Sequence, residues 1–180
     1  MGQEAKEIFE NKLVMKLGAE YSLRWEIDRR GVVCCWCRLN KADDITLVAE
    51  LVAELGGRVM AITPLIPSSN GLPGQVEINY HFYFDGVNCT VRFHLPNGMK
   101  EVPSITPILK SADWQEREMQ ELYNLKLTGH PNPKRLFLDS SIPWTDNTMI
   151  PLSEAMSGTS TNTLWERIMG EKNRGVKAGE

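Results

Sequence analysis

Apolar residues recur every three or four positions over 3–17 (Ala5, Ile8, Phe9, Leu13, Leu17), and Gly18 follows, which predicts an amphipathic helix closed by glycine. The spacing then changes. Leu23, Trp25 and Ile27 alternate with polar residues in "SLRWEI", the pattern of a half-buried strand. Asp28–Gly31 reads as a turn into "VVCCWCRL", a second strand apolar on both faces. "NKADDITLVAELVAELGG" predicts the clearest helix of the chain. Leu47, Val48, Leu51, Val52 and Leu55 form its stripe, Asn40 or the Asp43–Asp44 pair caps its start, and Gly56-Gly57 ends it.

"RVMAITPLI" predicts a third strand, followed by the turn-rich loop "PSSNGLPG". The strongest strand signal comes next. Val76, Ile78, Tyr80, Phe82 and Phe84 alternate with polar or amphipathic residues, as do Val87, Cys89, Val91, Phe93 and Leu95. Asp85-Gly86 lies between them, the signature of a two-residue type I′ hairpin, so Phe84 should face Val87 and Phe82 should face Cys89. One face of this pair is apolar; the other is polar, hence wet or covered by a partner. The order α-β-β-α-β-β-β-α implies a two-layer α+β domain over 1–139, with helices on one face of a mostly antiparallel sheet. From 140 to 180 periodic apolar residues thin out among Ser, Thr and Pro. That composition predicts an extended tail with a short helix near 163–171, and its scattered Trp144, Ile150, Leu152, Met156 and Trp165 suit a chain wrapping a partner.

Composition removes several function classes. A net charge of −3 leaves no electrostatic footprint for nucleic acid. No apolar run reaches the roughly 20 residues of a membrane-spanning helix. The first residues, "MGQEAKEIFENK", lack an apolar secretory core, and Lys6 stands where a myristoylation site wants Ser or Thr.

Four cysteines, Cys34, Cys35, Cys37 and Cys89, raise a metal site as an alternative. Strand alternation turns Cys34 away from Cys35 and Cys37, which favours buried core cysteines over a tetrahedral metal set. The hairpin register opposes His81 to Thr90 and His94 to Glu77, which separates the two histidines by about 13 Å. No nucleophile elbow, phosphate loop or dinucleotide fingerprint is present. His130 sits in the turn-forming "GHPNP" without a nucleophile nearby, and Glu116 and Glu118, two apart on a helix, do not face each other. The expected set of catalytic, cofactor and metal residues in this chain is therefore empty.

The densest charge lies in "ADWQEREMQELYNLKLTGHPNPKRLFLD", 112–139. It reads as a helix over 114–123 with Asp113 as N-cap and Glu116 completing a capping box. Asn124 takes the left-handed position that ends it. Glu118 falls between Trp114 and Leu122 on the apolar arc, so it should pair with Lys134 or Arg135 and pin the following strap to the helix.

Within 103–139, "PSIT", "ADWQERE", "GHP" and "KRLFL" resemble the signature of the thirty-kilodalton (C) subunit family of respiratory complex I, which runs roughly A-N-W-x-E-R-E-x-x-D-x-x-G-I-x-F-x-G-H-P-D-x-R-R-I-L. Trp114, Glu116, Arg117, Glu118, Gly129, His130, Pro131 and Arg135 fall on it without gaps, with Lys134 at the first Arg of its R-R pair. Asp113 replaces Asn, Glu121 replaces Asp and Asn124 replaces Gly, which looks more like the relatives in energy-converting [NiFe] hydrogenases, formate hydrogenlyases and sulfur-reducing complexes. The resemblance implies a subunit without a redox cofactor on the cytoplasmic peripheral arm of a membrane-bound assembly. Its implied partners are a hydrogenase-large-chain-like (forty-nine-kilodalton-like) subunit, an iron–sulfur subunit and membrane subunits. Iron–sulfur clusters, and a NiFe centre where there is one, would belong to those partners, as would the coupling of electron transfer to ion translocation. The signature residues would then form a subunit interface. The alternatives are the corresponding subunit of a NADH–quinone oxidoreductase and, in another class, a freestanding Cys-ligated metalloprotein.

Overall fold

The computed structural model describes residues 2–65, 76–96 and 98–137; the expected loop at 67–74, the tail at 140–180 and its helix lie outside them. Helix α1 (Gly2–Leu17) is followed by strands β1 (Tyr21–Ile27) and β2 (Val33–Leu39), helix α2 (Ile45–Glu54) and strand β3 (Arg58–Leu65). Strands β4 (Val76–Phe84), β5 (Val87–Leu95) and β6 (Glu101–Pro103), helix α3 (Asp113–Tyr123) and strand β7 (Lys126–Thr128) complete the described chain. The expected α+β order holds, with two short strands added.

The main sheet has the order β1-β2-β5-β4-β3, antiparallel except where β2 meets β5. The hairpin is in the expected register, Phe84 opposite Val87 and Phe82 opposite Cys89. Asp85 (φ 39°) and Gly86 (φ 82°) both take the positive φ that a type I′ turn needs. Alternation puts Cys35, Cys37, Cys89, Tyr80, Phe82, Phe84 and Phe93 on the inner face, where α1 and α2 bury them with Phe9, Leu13, Ile45, Val48, Leu51 and Val52. Burial, with the neighbouring Cys35 second, pushes the Cys37 thiol up to about 12, so it is a packed apolar group rather than a nucleophile.

Strand β2 is not buried on both faces. Cys34 is half-buried and Trp36 is 48% exposed, because the described chain places no helix over the outer face of the sheet. The expected caps of α2 also differ. A 3-10 turn at Ala42–Asp44 feeds the helix, and neither Asp43 nor Asp44 caps it through its side chain. At the other end Gly57 permits a close approach. A Cβ there would lie 2.6 Å from Val52 Cγ1 and 2.8 Å from the Tyr83 carbonyl oxygen.

Candidate functional site: a helix and its strap

The segment 103–137 is built on α3. A 3-10 turn at Lys110–Ala112 leads into it, so Asp113 is already helical and the expected capping box does not form. The turn is tied to the sheet instead. Ser111 Oγ accepts the Val59 N–H at 3.0 Å, and Gln115 Nε2 donates to the Met60 carbonyl at 3.3 Å. Asn124 ends the helix in the left-handed conformation, φ 50°, as expected.

The inner side of α3 is polar. It buries Glu116, Met119, Gln120 and Glu121. Glu116 is fully buried and accepts three hydrogen bonds from one loop: Ser104 Oγ at 2.5 Å, the Ile105 N–H at 2.7 Å and Thr106 Oγ1 at 2.6 Å. A buried carboxylate needs such donors to offset its lost hydration. The same loop is held to β7 by the Ser104 N–H on the Thr128 carbonyl, 2.9 Å, beside the parallel β6–β7 pair.

Gly129, His130 and Pro131 follow β7. Gly129 has φ 80°, which turns the chain so that the His130 side chain enters the interior beside α3. His130 Nδ1 accepts the Asn132 N–H at 3.0 Å, so a neutral ring carries its proton on Nε2. Nε2 lies 3.3 Å from Asp113 Oδ1 and 3.8 Å from Glu116 Oε2. The Tyr80 phenol is also fully buried, and burial first, then the Glu116 charge, hold it protonated far above its ordinary range. His130 and Glu116 thus meet inside the fold, both buried.

The strap at 133–137 is fastened by the helix, but not through Glu118. Arg117 donates from Nε to the Lys134 carbonyl at 2.8 Å and from Nη2 to the Arg135 carbonyl at 3.1 Å. Gln120 Nε2 donates to the Pro133 carbonyl at 2.9 Å. Glu121 Oε2 accepts the N–H groups of Leu136 at 2.8 Å and Phe137 at 2.9 Å. The expected Glu118 pair with Lys134 or Arg135 is not what pins the strap; the backbone is gripped by the neighbouring side chains of the same helix.

Of the expected interface residues, Glu116 and His130 are interior, Arg117, Glu118 and Arg135 are half-buried, and Trp114, Gly129, Pro131 and Lys134 are exposed. Trp114 is 59% exposed and meets Phe137, 57% exposed, edge to face at 6.1 Å. Leu122, 42% exposed, continues that outer stripe two turns along. Sequence reasoning missed Ser104, Thr106, Gln120, Glu121 and Phe137. A Ser and a Thr, twelve and ten residues before a buried glutamate, leave no periodic trace.

A sequence profile described as "Respiratory-chain NADH dehydrogenase, 30 Kd subunit" matches residues 38–162. The chain belongs to this family. Over 68 residues it is 37% identical to the C subunit of the NADH-quinone oxidoreductase of Sinorhizobium medicae (strain WSM419), covering 37% of this chain and 34% of that one. Over 42 residues it is 48% identical to the J subunit of the NAD(P)H-quinone oxidoreductase of Synechococcus sp. (strain RCC307), covering 23% and 24%. The matches therefore span about a third or less of these curated relatives. Among solved structures, the fold resembles a chain of the membrane-bound sulfane sulfur reductase, an archaeal respiratory membrane complex (TM-score 0.55, 17% identity, 77% of this chain and 79% of that one). It also resembles Nqo5 of a trypsin-resistant fragment (TM-score 0.53, 20% identity, 71% and 97%). This thirty-kilodalton-family chain is thus related to the C and J subunits of quinone oxidoreductases. Among its described residues no helix is long and apolar enough to cross a membrane, and no group of three His, Cys, Asp or Glu side chains converges as metal ligands.

Proposed function

We propose that this chain is a non-catalytic assembly subunit of a complex I-related membrane-bound oxidoreductase, of the energy-converting hydrogenase or sulfur-reductase type. In this reading it sits on the cytoplasmic peripheral arm and docks through α3 and its strap on the hydrogenase-large-chain-like subunit, beside the iron–sulfur subunit. The iron–sulfur clusters, any NiFe centre and the ion-translocating membrane subunits are the partners' contribution. One observation carries this reading. Glu116, Arg117, Gln120 and Glu121 of α3 hold its own loop and strap, while Trp114, Leu122 and Phe137 are exposed as a preorganised apolar anchor.

A second reading, the corresponding subunit of a NADH–quinone oxidoreductase, is supported by the curated relatives that carry that enzyme's name. Purification of the tagged chain from its own cells in mild detergent tests both, with co-purifying chains identified by mass spectrometry. The first reading expects a large-chain-like subunit, an iron–sulfur protein and membrane subunits without a nicotinamide-oxidising chain; finding that chain as well selects the second. Recovery of the chain alone, with one equivalent of zinc or iron retained, would overturn both in favour of a Cys-ligated metalloprotein.

A further inference from the structure

The outer face of the main sheet holds a cluster that the α3 site does not use. Strand register aligns Ser22, Arg38, Arg92, Asn79 and Thr63 in one row across all five strands. Arg38 and Arg92 are direct cross-strand neighbours, an arrangement of like charges that destabilises a sheet when nothing neutralises it. Their row neighbours, Ser22 and Asn79, carry no charge. The carboxylates of this face are engaged elsewhere: Glu26 with Arg24, and Glu77 with His94 Nε2 at 3.0 Å and Asn79 Nδ2 at 3.0 Å. Among the described residues neither Arg38 nor Arg92 meets a carboxylate. Both border a cleft of about 310 Å³ whose other walls include Ser22, Arg24 and the half-exposed Trp36.

We propose that this cleft is a second docking surface, for an acidic segment of another protein chain in the same assembly, with two nearby carboxylates on Arg38 and Arg92 and a neighbouring side chain against Trp36. The proposal rests on the reading of the chain as an assembly subunit. Guanidinium forks match carboxylates in bidentate geometry, and Trp and Arg are the residues that most often carry interface energy. An acidic polypeptide suits the face better than a nucleic acid. The chain is net negative, and Arg38 and Arg92 offer one pair of cationic sites rather than the continuous basic stripe that a phosphate backbone follows.

The test uses the full chain inside its own complex, with Trp36→p-benzoylphenylalanine as a photocrosslinker and mass spectrometry of the crosslinked product. The expected product is one peptide of another subunit with at least two acidic residues in a short run. Arg38→Glu in the same chain should cut its yield at least about tenfold. That variant removes the opposed like charges, so the isolated chain should melt at the same temperature or higher, which separates lost docking from lost folding. A crosslink to RNA, to lipid or to a segment without acids overturns the proposal, as does a yield indifferent to Arg38→Glu. A chain that co-purifies with its complex yet gives no crosslink at position 36 defeats this surface alone; a chain that joins no complex defeats the assembly reading first.

Discussion

Helices α2 and α3 are nearly equal in length, 10 and 11 residues, and both are amphipathic, yet they bury opposite kinds of side chain. Helix α2 turns Ile45, Val48, Ala49, Leu51 and Val52 into the core and leaves its charges in water. Helix α3 turns Glu116, Gln120 and Glu121 inward with Met119 and leaves Trp114 and Leu122 outside. An apolar stripe marks a surface that must be covered; whether the cover is the chain's own core or something else depends on what the polar side finds. On α3 it finds unpaired backbone. The loop at 104–106 and the strap at 133–137 carry N–H and C=O groups that no sheet completes, and the polar side chains of α3 satisfy them.

Breaking α2 should have the largest effect. Leu51 is fully buried in the core, so Leu51→Ala leaves a cavity there and should cost about 3 kcal/mol. Denaturant unfolding reads this as a lower midpoint at unchanged slope. A loss below about 1 kcal/mol would mean that α2 is not a core helix. Glu116→Gln tests α3 at nearly constant volume. The amide keeps one acceptor but turns its NH2 toward donors that had faced a carboxylate oxygen, for an expected loss of about 2 kcal/mol. A neutral outcome would remove the claim that the carboxylate holds this loop.

Glu121→Gln acts on the strap. It trades charge-assisted bonds to the Leu136 and Phe137 N–H groups for weaker ones, with an expected global loss of about 1 kcal/mol. The sharper readout is local. Hydrogen exchange at those two amides should quicken about tenfold while the amides of β5 stay unchanged. Equal acceleration in both places would show that the strap opens only when the domain unfolds.

The contrast also separates what was legible in the residues from what was not. The hairpin could be read because Asp85-Gly86 fixes register locally, and the cysteine faces because alternation does. The stripe of α2 was legible since its cover is also apolar. The inward face of α3 was not. Trp114, Glu118 and Leu122 read as a core stripe, and nothing within a helical turn reveals that Glu116 answers to Ser104 and Thr106. The strands β6 and β7 are three residues each, too short for a period to show, and they matter because they hold that loop. The apolar-looking run of β2 suggested burial on both faces, whereas Trp36 stands open beside two arginines.

The smallest stability effect belongs to the residue expected to matter most in the assembly. Trp114 is mostly in water and its ring meets Phe137 edge to face, so Trp114→Ala should change folding stability by no more than about 0.5 kcal/mol. If the outer stripe of α3 is what a partner covers, the same substitution removes a rigid aromatic anchor, worth about 2 kcal/mol or more at an interface centre. Recovery of co-purifying chains should then fall more than about tenfold while the melting curve stays in place. Leu51→Ala would lower the melting temperature, and partner recovery would suffer only through unfolding. A Trp114→Ala chain that melts early, or one that still recovers its partners in full, would erase the distinction between a helix that closes the core and a helix that presents a surface.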